Sequence, residues 1–542
     1  MAYLKVERKK SGTYLRILQS YRNESGKPTS KVLFSLGKVE DYTPSQLRSI
    51  GVKLFEIGGG QLKGLLSGDI VELGRYNYGY QQVFEKALNH YGLKLLLQRI
   101  QRKHKLQLDL YSSTLLMLLE RLQSPCSKLS NFSHQQEYLN LPSVSLHHLY
   151  RTLDKLAKHS LLIQRQIFQT GRDLFNQKLD VVFYDVTTFY FHSEVEKEGQ
   201  LRQMGFGKDG KIGKTQILFC MMIDQYKNPI GYRIFKGNTF EGDTFEYALE
   251  DLKKQYQIDK VVVVADRGML SKKNINLTIE NGYEFIIGER IKSLPKNIQN
   301  QLLDLSKYEN EWVYNDASGE DILIKYTSLK HDNKTIIATY SSKRAKKDKA
   351  DREEKLEIAT KLLKNPSKLN AKAGRFYLKN TEGQAYKLDE EKVKRAERFD
   401  GILAISTNAT GLGINQVLEQ YKMLFNIEHS FRTFKSHLET RPMFHWTDKR
   451  IEGHICLCYI AFTIQNFILQ KVNANRPMGK VKNHITEASL RATLDKMQVS
   501  LIQNQAQNSY LRSMPTDLER LIQNKLGIKP LLPIQLQETF KV

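Results

Sequence analysis

Apolar and polar positions alternate singly at the start of the chain, then recur at every third and fourth residue, then alternate again. Each change of period marks a change of element. Residues 1–45 carry the first alternation, TYLRILQSYRNESGKPTSKVLFSLG, broken by glycine turns, which predicts a small β-hairpin element. Across 46–178 the apolar residues of YSSTLLMLLERL and LHHLYRTLDKLAKHSLLIQRQIF recur at helical spacing. At Leu179 the pattern shifts to short β-branched runs. LDVVFYDVTTFYF predicts a buried strand, and TQILFCMMID and PIGYRIFKG predict two more, joined by a turn at Gln225–Asn228. FEYALEDLKKQY predicts an amphipathic helix, KVVVVAD a strand covered on both faces, SKKNINLTIENG a helix and YEFIIGER a fifth strand. The order β-β-β-α-β-α-β belongs to a mixed α/β domain over 179–290.

Residues 291–400 break this rhythm. WVYND, DILIKYTSL and TIIATY are strand-like, SSKRAKKDKADREEKLEIATKLLKN is helical and RFYLK follows, which predicts a β-rich insertion with one helical excursion. FDGILAIST and a long helix from about 414 to 437 resume the α/β pattern across 401–475, and 476–542 reads as mainly helical. The expected class is therefore α+β and multidomain, and 542 residues suit two to four domains.

Charge narrows the function. The net charge is +25 and the pI near 9.5, with the excess spread along the chain rather than gathered in one tail. Such a balance implies a polyanionic partner, nucleic acid above all. Cys126, Cys220, Cys456 and Cys458 form no CxxC pair and are too sparse for a disulfide framework, so a reducing cytoplasm is expected. The start, MAYLKVERKK, lacks the apolar run of a secretory leader. The most apolar stretch, His454–Gln470, contains Gln465 and Asn466 and predicts a buried helix rather than a membrane span.

Three carboxylates stand out against this background. Asp185 lies inside an apolar strand, where a charge is costly unless paired or bound to metal. Asp266 ends the valine strand, and open α/β sheets place their sites at strand C-termini. Either aspartate alone fits a turn cap equally well, but two in one domain form a cradle for a hard cation. Glu428 lies in YKMLFNIEHSFRTFKSHLETRP, where Tyr421, Glu428 and Lys435 follow at intervals of seven residues and so share a helix face. Arg432 joins that face four residues after Glu428. The alternative for this helix is an ordinary solvated face with a Glu–Arg pair.

These segments resemble the signature of DDE transposases of the insertion-sequence-4 superfamily, in particular its insertion-sequence-1634-like branch. The matching stretches are FYDVTTFYF, GFGKDGK with PIGYRIFKGNTFEGDTF, VVVADRGMLSKKN, and YKMLFNIEHSFRTFKSHLETRPMFHWTDKRIEGHICLCYIAF, which together span about residues 180–470. The resemblance implies a ribonuclease-H-like catalytic core with a β-rich insertion between the second Asp and the Glu, flanked by helical N-terminal and C-terminal regions. It implies that Asp185, Asp266 and Glu428 bind two Mg²⁺ ions (Mn²⁺ substituting) and catalyse strand cleavage and strand transfer. It implies double-stranded DNA as partner, at terminal inverted repeats and at the target, and a homodimer to pair two ends. The family's Tyr–Arg–Glu–Lys motif maps onto Tyr421, Glu428 and Lys435, but its Arg position is Leu424 here. Rival readings are a catalytically inactive DNA-binding descendant and a nuclease without strand transfer.

Further candidates follow. Arg432 and Lys435 are expected at phosphates, the alternative being surface charges, and Tyr421 reads equally as a phosphate contact or as a packing residue. Trp312, the tryptophan of the insertion, is a candidate for stacking on a flipped base, against the simpler reading of a core strand residue. The helix from His147 to Lys158 reads as a bundle helix on its leucine face and as a DNA-reading element on the other, within a 46–178 end-binding region. Lys343–Arg352 reads as a phosphate contact or a solvated run. His445, Trp446, Arg450 and His454 read as packing or backbone contacts. His454, Cys456 and Cys458 have spacings ill-suited to zinc.

Overall fold

The structure, a computed structural model, describes residues 2–58, 70–171, 181–192, 195–196, 200–205, 214–266, 268, 271–315, 320–364, 376–380, 386–440, 443–474, 484–504 and 507–540. The chain divides into two compact units. One comprises Met1–Tyr76, Val499–Ser513 and Leu532–Lys541. In it β1 (Ala2–Lys9), β2 (Gly12–Arg22) and β3 (Pro28–Lys38) pair antiparallel in chain order, so the expected hairpin gains a third strand. Helix α1 (Pro44–Ile57) follows. A second sheet runs β19 (Ile534–Leu536), β18 (Gln507–Arg512), β17 (Gln498–Asn504), β4 (Val71–Asn77). These strands correct the expectation that 46–178 and 476–542 are helical. The partners β4 and β17 come from opposite ends of the chain, and strand preference depends on such partners more than on local sequence.

The other unit, Asn77–Gln498 with Met514–Leu531, opens with α2 (Gly79–His90), α3 (Leu93–Lys103), α4 (Leu110–Gln123), α5 (Lys128–His134), α6 (Leu146–Lys158) and α7 (Ser160–Gly171). A mixed ten-stranded sheet follows. It is built from β5 (Val181–Tyr190), the short β6 (Gln203–Met204), β7 (Thr215–Asp224), β8 (Pro229–Lys236), β9 (Val262–Ala265) and β10 (Glu284–Glu289). Helix α8 (Thr244–Lys254) precedes β9 and α9 (Lys272–Glu280) precedes β10, the element order expected from the sequence apart from β6.

The remaining four strands are β11 (Asn310–Asn315), β12 (Asp321–His331), β13 (Lys334–Tyr340) and β16 (Ile402–Thr407). The full order is β11-β12-β13-β16-β10-β9-β5-β7-β6, with β8 on β7. Strand β7 runs antiparallel to β5 and to β8, while β9 runs parallel to β5 and β10 parallel to β9. The strands of the 291–400 segment therefore extend the main sheet through β13–β16–β10 rather than forming a body of their own. The same segment supplies α10 (Lys296–Leu302), α11 (Ser342–Lys364), the pair β14 (Leu378–Asn380) and β15 (Tyr386–Leu388), and α12 (Glu390–Glu397).

The single long helix expected over 414–437 is three pieces: α13 (Ile414–Met423), α14 (Phe425–Arg432) and a π-helical turn, Thr433–His437. The break falls at Leu424. Its N–H bonds the Tyr421 carbonyl at 3.1 Å and its own carbonyl accepts from Ile427 at 3.2 Å, both three residues apart, which tightens the backbone locally. Helices α15 (Asp448–Asn473), α16 (Glu487–Lys496) and α17 (Asp517–Leu526) complete the unit. By length and composition α15 is apolar enough to cross a membrane, yet 72% of its most apolar window is buried within the protein. It is a core helix, packed chiefly on α6 and α4.

Candidate active site

Alternation along β5 sorts its side chains onto two faces. Val182, Tyr184 and Val186 join Leu218, Cys220 and Met222 of β7, Val263 and Ala265 of β9, and Phe245, Leu249 and Leu252 of α8 in one apolar core. Phe183, Asp185, Thr187 and Phe189 therefore point to the opposite face. There Phe189 stacks on Phe219 at 5.2 Å, and Phe219 meets Phe431 of α14 at 6.1 Å and Phe434 of the π-turn at 5.1 Å. The helix that carries Glu428 thus packs across the face on which Asp185 opens.

Strand register adds the second aspartate. The parallel ladder pairs Val181 with Val262, Val182 with Val263, Phe183 with Val264 and Tyr184 with Ala265. One further step sets Asp185 beside Asp266, which lies just past the end of β9. Neighbouring strands are ~4.8 Å apart, so two such carboxylates border one gap. Asp185 is half-buried, and its Oδ1 accepts from the Val186 N–H at 2.7 Å. Asp266 and Glu428 are exposed. An all-oxygen donor set, with Asp185 midway along β5 and Asp266 just past the end of the adjoining β9, fits a hard divalent ion such as Mg²⁺.

The π-turn beyond Glu428 is pinned from three sides. Glu487 at the start of α16 accepts from Thr433 Oγ1 at 2.8 Å and lies against His437 Nδ1. Arg121 of α4 donates to the Leu438 carbonyl at 3.2 Å, and Arg491 of α16 to the His437 carbonyl at 3.4 Å. Lys435 is held half-buried within this turn, and Arg432 is exposed one residue before it. Burial holds His429 below the usual histidine range, and Lys227, Arg432 and His437 push in the same direction against Glu487.

Tyr421 is half-buried on α13. Its neighbour Lys422 places Nζ 3.4 Å from the centre of the Tyr314 ring on β11. Tyr314 in turn lies 5.0 Å from Trp312, two residues earlier on the same strand face. The insertion thus presents an aromatic pair to the helix preceding Glu428, with Trp312 half-buried rather than in the core. Tyr314 was not singled out from the sequence, although its spacing of two from Trp312 carried the signal. Leu424, at the lost Arg position, is buried.

Other expectations settle differently. Arg352 is not at the surface: its guanidinium pairs with Asp400, and Asp348 accepts from the Gly401 N–H at 3.0 Å, so this end of the basic run holds the insertion together. On α6 Leu149, Leu153 and Leu156 are buried, while His147, Arg151 and Lys158 face outward. Arg450 pairs with Asp154 at 2.6 Å. On α15 His454 Nε2 lies 3.7 Å from Cys458 Sγ, whereas Cys456 is fully buried. Arg267, Arg441–Pro442 and GFGKDGK beyond its first glycine lie outside the described residues.

Residues 176–464 match the family model described as the transposase DDE domain, and residues 4–56 match the N-terminal domain of IS1634 family transposases. A search of curated proteins finds no match. Among solved structures, a piggyBac transposase synaptic complex with hairpin DNA aligns over 72% of this chain and 70% of its own, at 9% identity and a TM-score of 0.36. A Mos1 transposase paired-end complex aligns over 35% of this chain and 57% of its own, at 15% identity and a TM-score of 0.15. Overlaps this loose carry no weight, whereas the DDE model spans all three carboxylates and more than half of the sequence: the chain belongs to the DDE transposases, in the IS1634 branch.

Proposed function

We propose that this transposase binds the ends of its insertion sequence and carries out metal-dependent strand cleavage and strand transfer, by cut and paste, with Asp185, Asp266 and Glu428 as its catalytic carboxylates. The observation that carries the reading is the β5–β9 register, which brings Asp185, midway along β5, next to the end of β9 where Asp266 follows, under the Glu428 helix. The order β8-β7-β5-β9-β10, antiparallel through β5 and parallel beyond it, supports a ribonuclease-H-like core.

Asp185, Asp266 and Glu428 would hold two Mg²⁺ ions, or Mn²⁺ in their place. When bound, such ions activate the attacking oxygen and stabilise the leaving one in an in-line displacement at phosphorus. The chain's own part is to place the phosphate. Lys435, fixed in its pinned turn, and Arg432 neutralise the strand on one side, and Tyr421 supplies a hydroxyl. Trp312, backed by Tyr314 and Lys422, offers a ring to an unstacked base, a contact worth ~1–3 kcal/mol. Away from the site, a cleft lined by Lys105, His148, Arg151, Lys155 and Lys449 suits the phosphates of a duplex end and supports an end-binding role for the helical region. Pairing of two ends implies a homodimer, and the site of action is the bacterial nucleoid in the cytoplasm.

The test is a plasmid carrying the element's ends, incubated with the protein and Mg²⁺. Excision followed by joining to a target is expected. Nicking that ignores the ends would indicate a nuclease without transfer, and binding without cutting an inactive descendant. Asp185→Asn, Asp266→Asn and Glu428→Gln should each abolish cleavage while leaving end binding intact. Full nicking by any one of them removes that residue from the site.

A further inference from the structure

Outside the transposase site lies a second group of potential ligands. Among the described residues, the Glu120 carboxylate, the Cys126 thiol and a His134 ring nitrogen lie within 4.8 Å of one another. Glu120 lies in the last turn of the buried α4, Cys126 sits in the turn after that helix and His134 closes α5, so the whole set comes from one local helix–turn–helix. Cys126 Sγ is 3.1 Å from Glu120 Oε2, and His134 Nδ1 is 3.1 Å from the same oxygen. In a tetrahedral zinc site the corresponding ligand–ligand edges are ~3.4–3.6 Å, from Zn–S of ~2.3 Å and Zn–N and Zn–O of ~2.1 Å. A few tenths of an ångström outward would therefore make room for an ion.

The surroundings are arranged around those three atoms. Tyr138 donates to Glu120 Oε1 at 2.7 Å, which leaves Oε2 turned to the other two ligands. Asn131 Nδ2 donates to Cys126 Sγ at 2.9 Å. Lys128, itself buried, donates to Asn131 Oδ1 at 3.2 Å and so fixes which end of that amide faces the sulfur. A donor chain ending on sulfur favours a thiolate, the form in which cysteine binds metal. The Cys126 thiol and the His134 N–H now both point at one carboxylate oxygen, two protons where one divalent ion would fit. His134 is 43% exposed, which leaves a fourth, water-facing position open.

We propose that Glu120, Cys126 and His134 form a zinc site with a water as fourth ligand, separate from the catalytic carboxylates. Loading replaces the Cys126 S–H bond by a Zn–S bond and releases that proton to solvent. His134 binds through Nδ1 as the neutral ring, its single proton moving through solvent exchange from Nδ1 to Nε2, and Glu120 stays ionised. The bound centre carries no net charge, as suits a half-buried position next to Arg121. Because Arg121 donates both to the Cys126 carbonyl at 3.4 Å and to the Leu438 carbonyl closing the π-turn, zinc would brace the turn that holds Lys435.

The full chain carrying Asp185→Asn and Asp266→Asn, stripped with a chelator and dialysed against Zn²⁺, should retain one equivalent of zinc and melt at a higher temperature than the stripped form. Replacement by Co²⁺ should give a thiolate-to-cobalt charge-transfer band. Cys126→Ser should lose the band, and His134→Gln, close to the surface and so safe for folding, should lose the retained zinc. Tyr138→Phe should weaken binding by ~10–100-fold. No zinc above the level of the His134→Gln protein, or a cobalt spectrum unchanged in Cys126→Ser, overturns the proposal. Both readouts are independent of cleavage, so they stand or fall apart from the transposase reading.

Discussion

Leu424 shows how one residue is set by two demands. It occupies the position to which the sequence resemblance would assign the motif's arginine, and it is also the buried residue at the junction of α13 and α14. Leu424→Arg should not restore a phosphate contact. It should overfill a packed position, at a cost of about 1–3 kcal/mol, and lower the melting temperature. A gain in end-binding affinity with unchanged melting would show that the position faces DNA after all. Lys422 is better placed than Leu424 to meet the backbone, since its ammonium already rests on Tyr314 beside Trp312. Trp312→Ala should then depress cleavage at the element tip and leave binding of the inner end unchanged. Equal product yield from both proteins would return Trp312 to a packing role.

At the scale of elements, α6 and α15 show what a small residue permits. A Cβ on Gly453 would stand 2.1 Å from the Leu153 carbonyl oxygen, so the two helices cross at a distance only glycine allows. Gly453→Ala should force them apart and destabilise the unit by about 1–3 kcal/mol, read as a lower denaturant midpoint. The apolar face of α6 is spent on that contact, which leaves its outer face for the basic cleft. Each phosphate contact removed from a duplex lowers the slope of log affinity against log salt by ~0.9. Arg151→Ala with Lys155→Ala should therefore flatten the salt dependence of end binding by up to about twice that. An unchanged slope would move the end-binding surface elsewhere. Elements of this kind were legible in the sequence because helical and strand periods are local. The π-turn was not, since it depends on partners far along the chain, Glu487, Arg121 and Arg491, and the break at Leu424 shows only in the three-residue hydrogen bonds on either side of it.

Over the whole molecule, buried charge couples distant segments. Burial, with Lys128, Arg121 and Arg450 nearby, pushes His445 down to about 3, and burial with His445, Arg121 and Lys128 holds His454 well below its ordinary range. Both are neutral in the folded state and take up protons on unfolding once the pH falls below about 6.5. Their stabilisation is therefore complete above that pH and lost as the pH drops, by roughly 1.4 kcal/mol per histidine for each unit. Denaturant midpoints at pH 7.5 and 5.5 should separate accordingly, and His445→Gln with His454→Gln should narrow the gap. An equal gap in both proteins would assign the acid sensitivity to other groups. By itself the sequence determined the periods, the strand and helix order from β5 to β10 apart from β6, the excess of positive charge and the three carboxylates with their motif, because each is written in neighbouring residues. Only the tertiary structure decided that β11–β13 extend the main sheet, that Asp185 comes next to the end of β9 where Asp266 follows, and that Tyr314 and Trp312 lie against Lys422. Those outcomes rest on strand register and on helix packing across long sequence separations, and no local pattern encodes them.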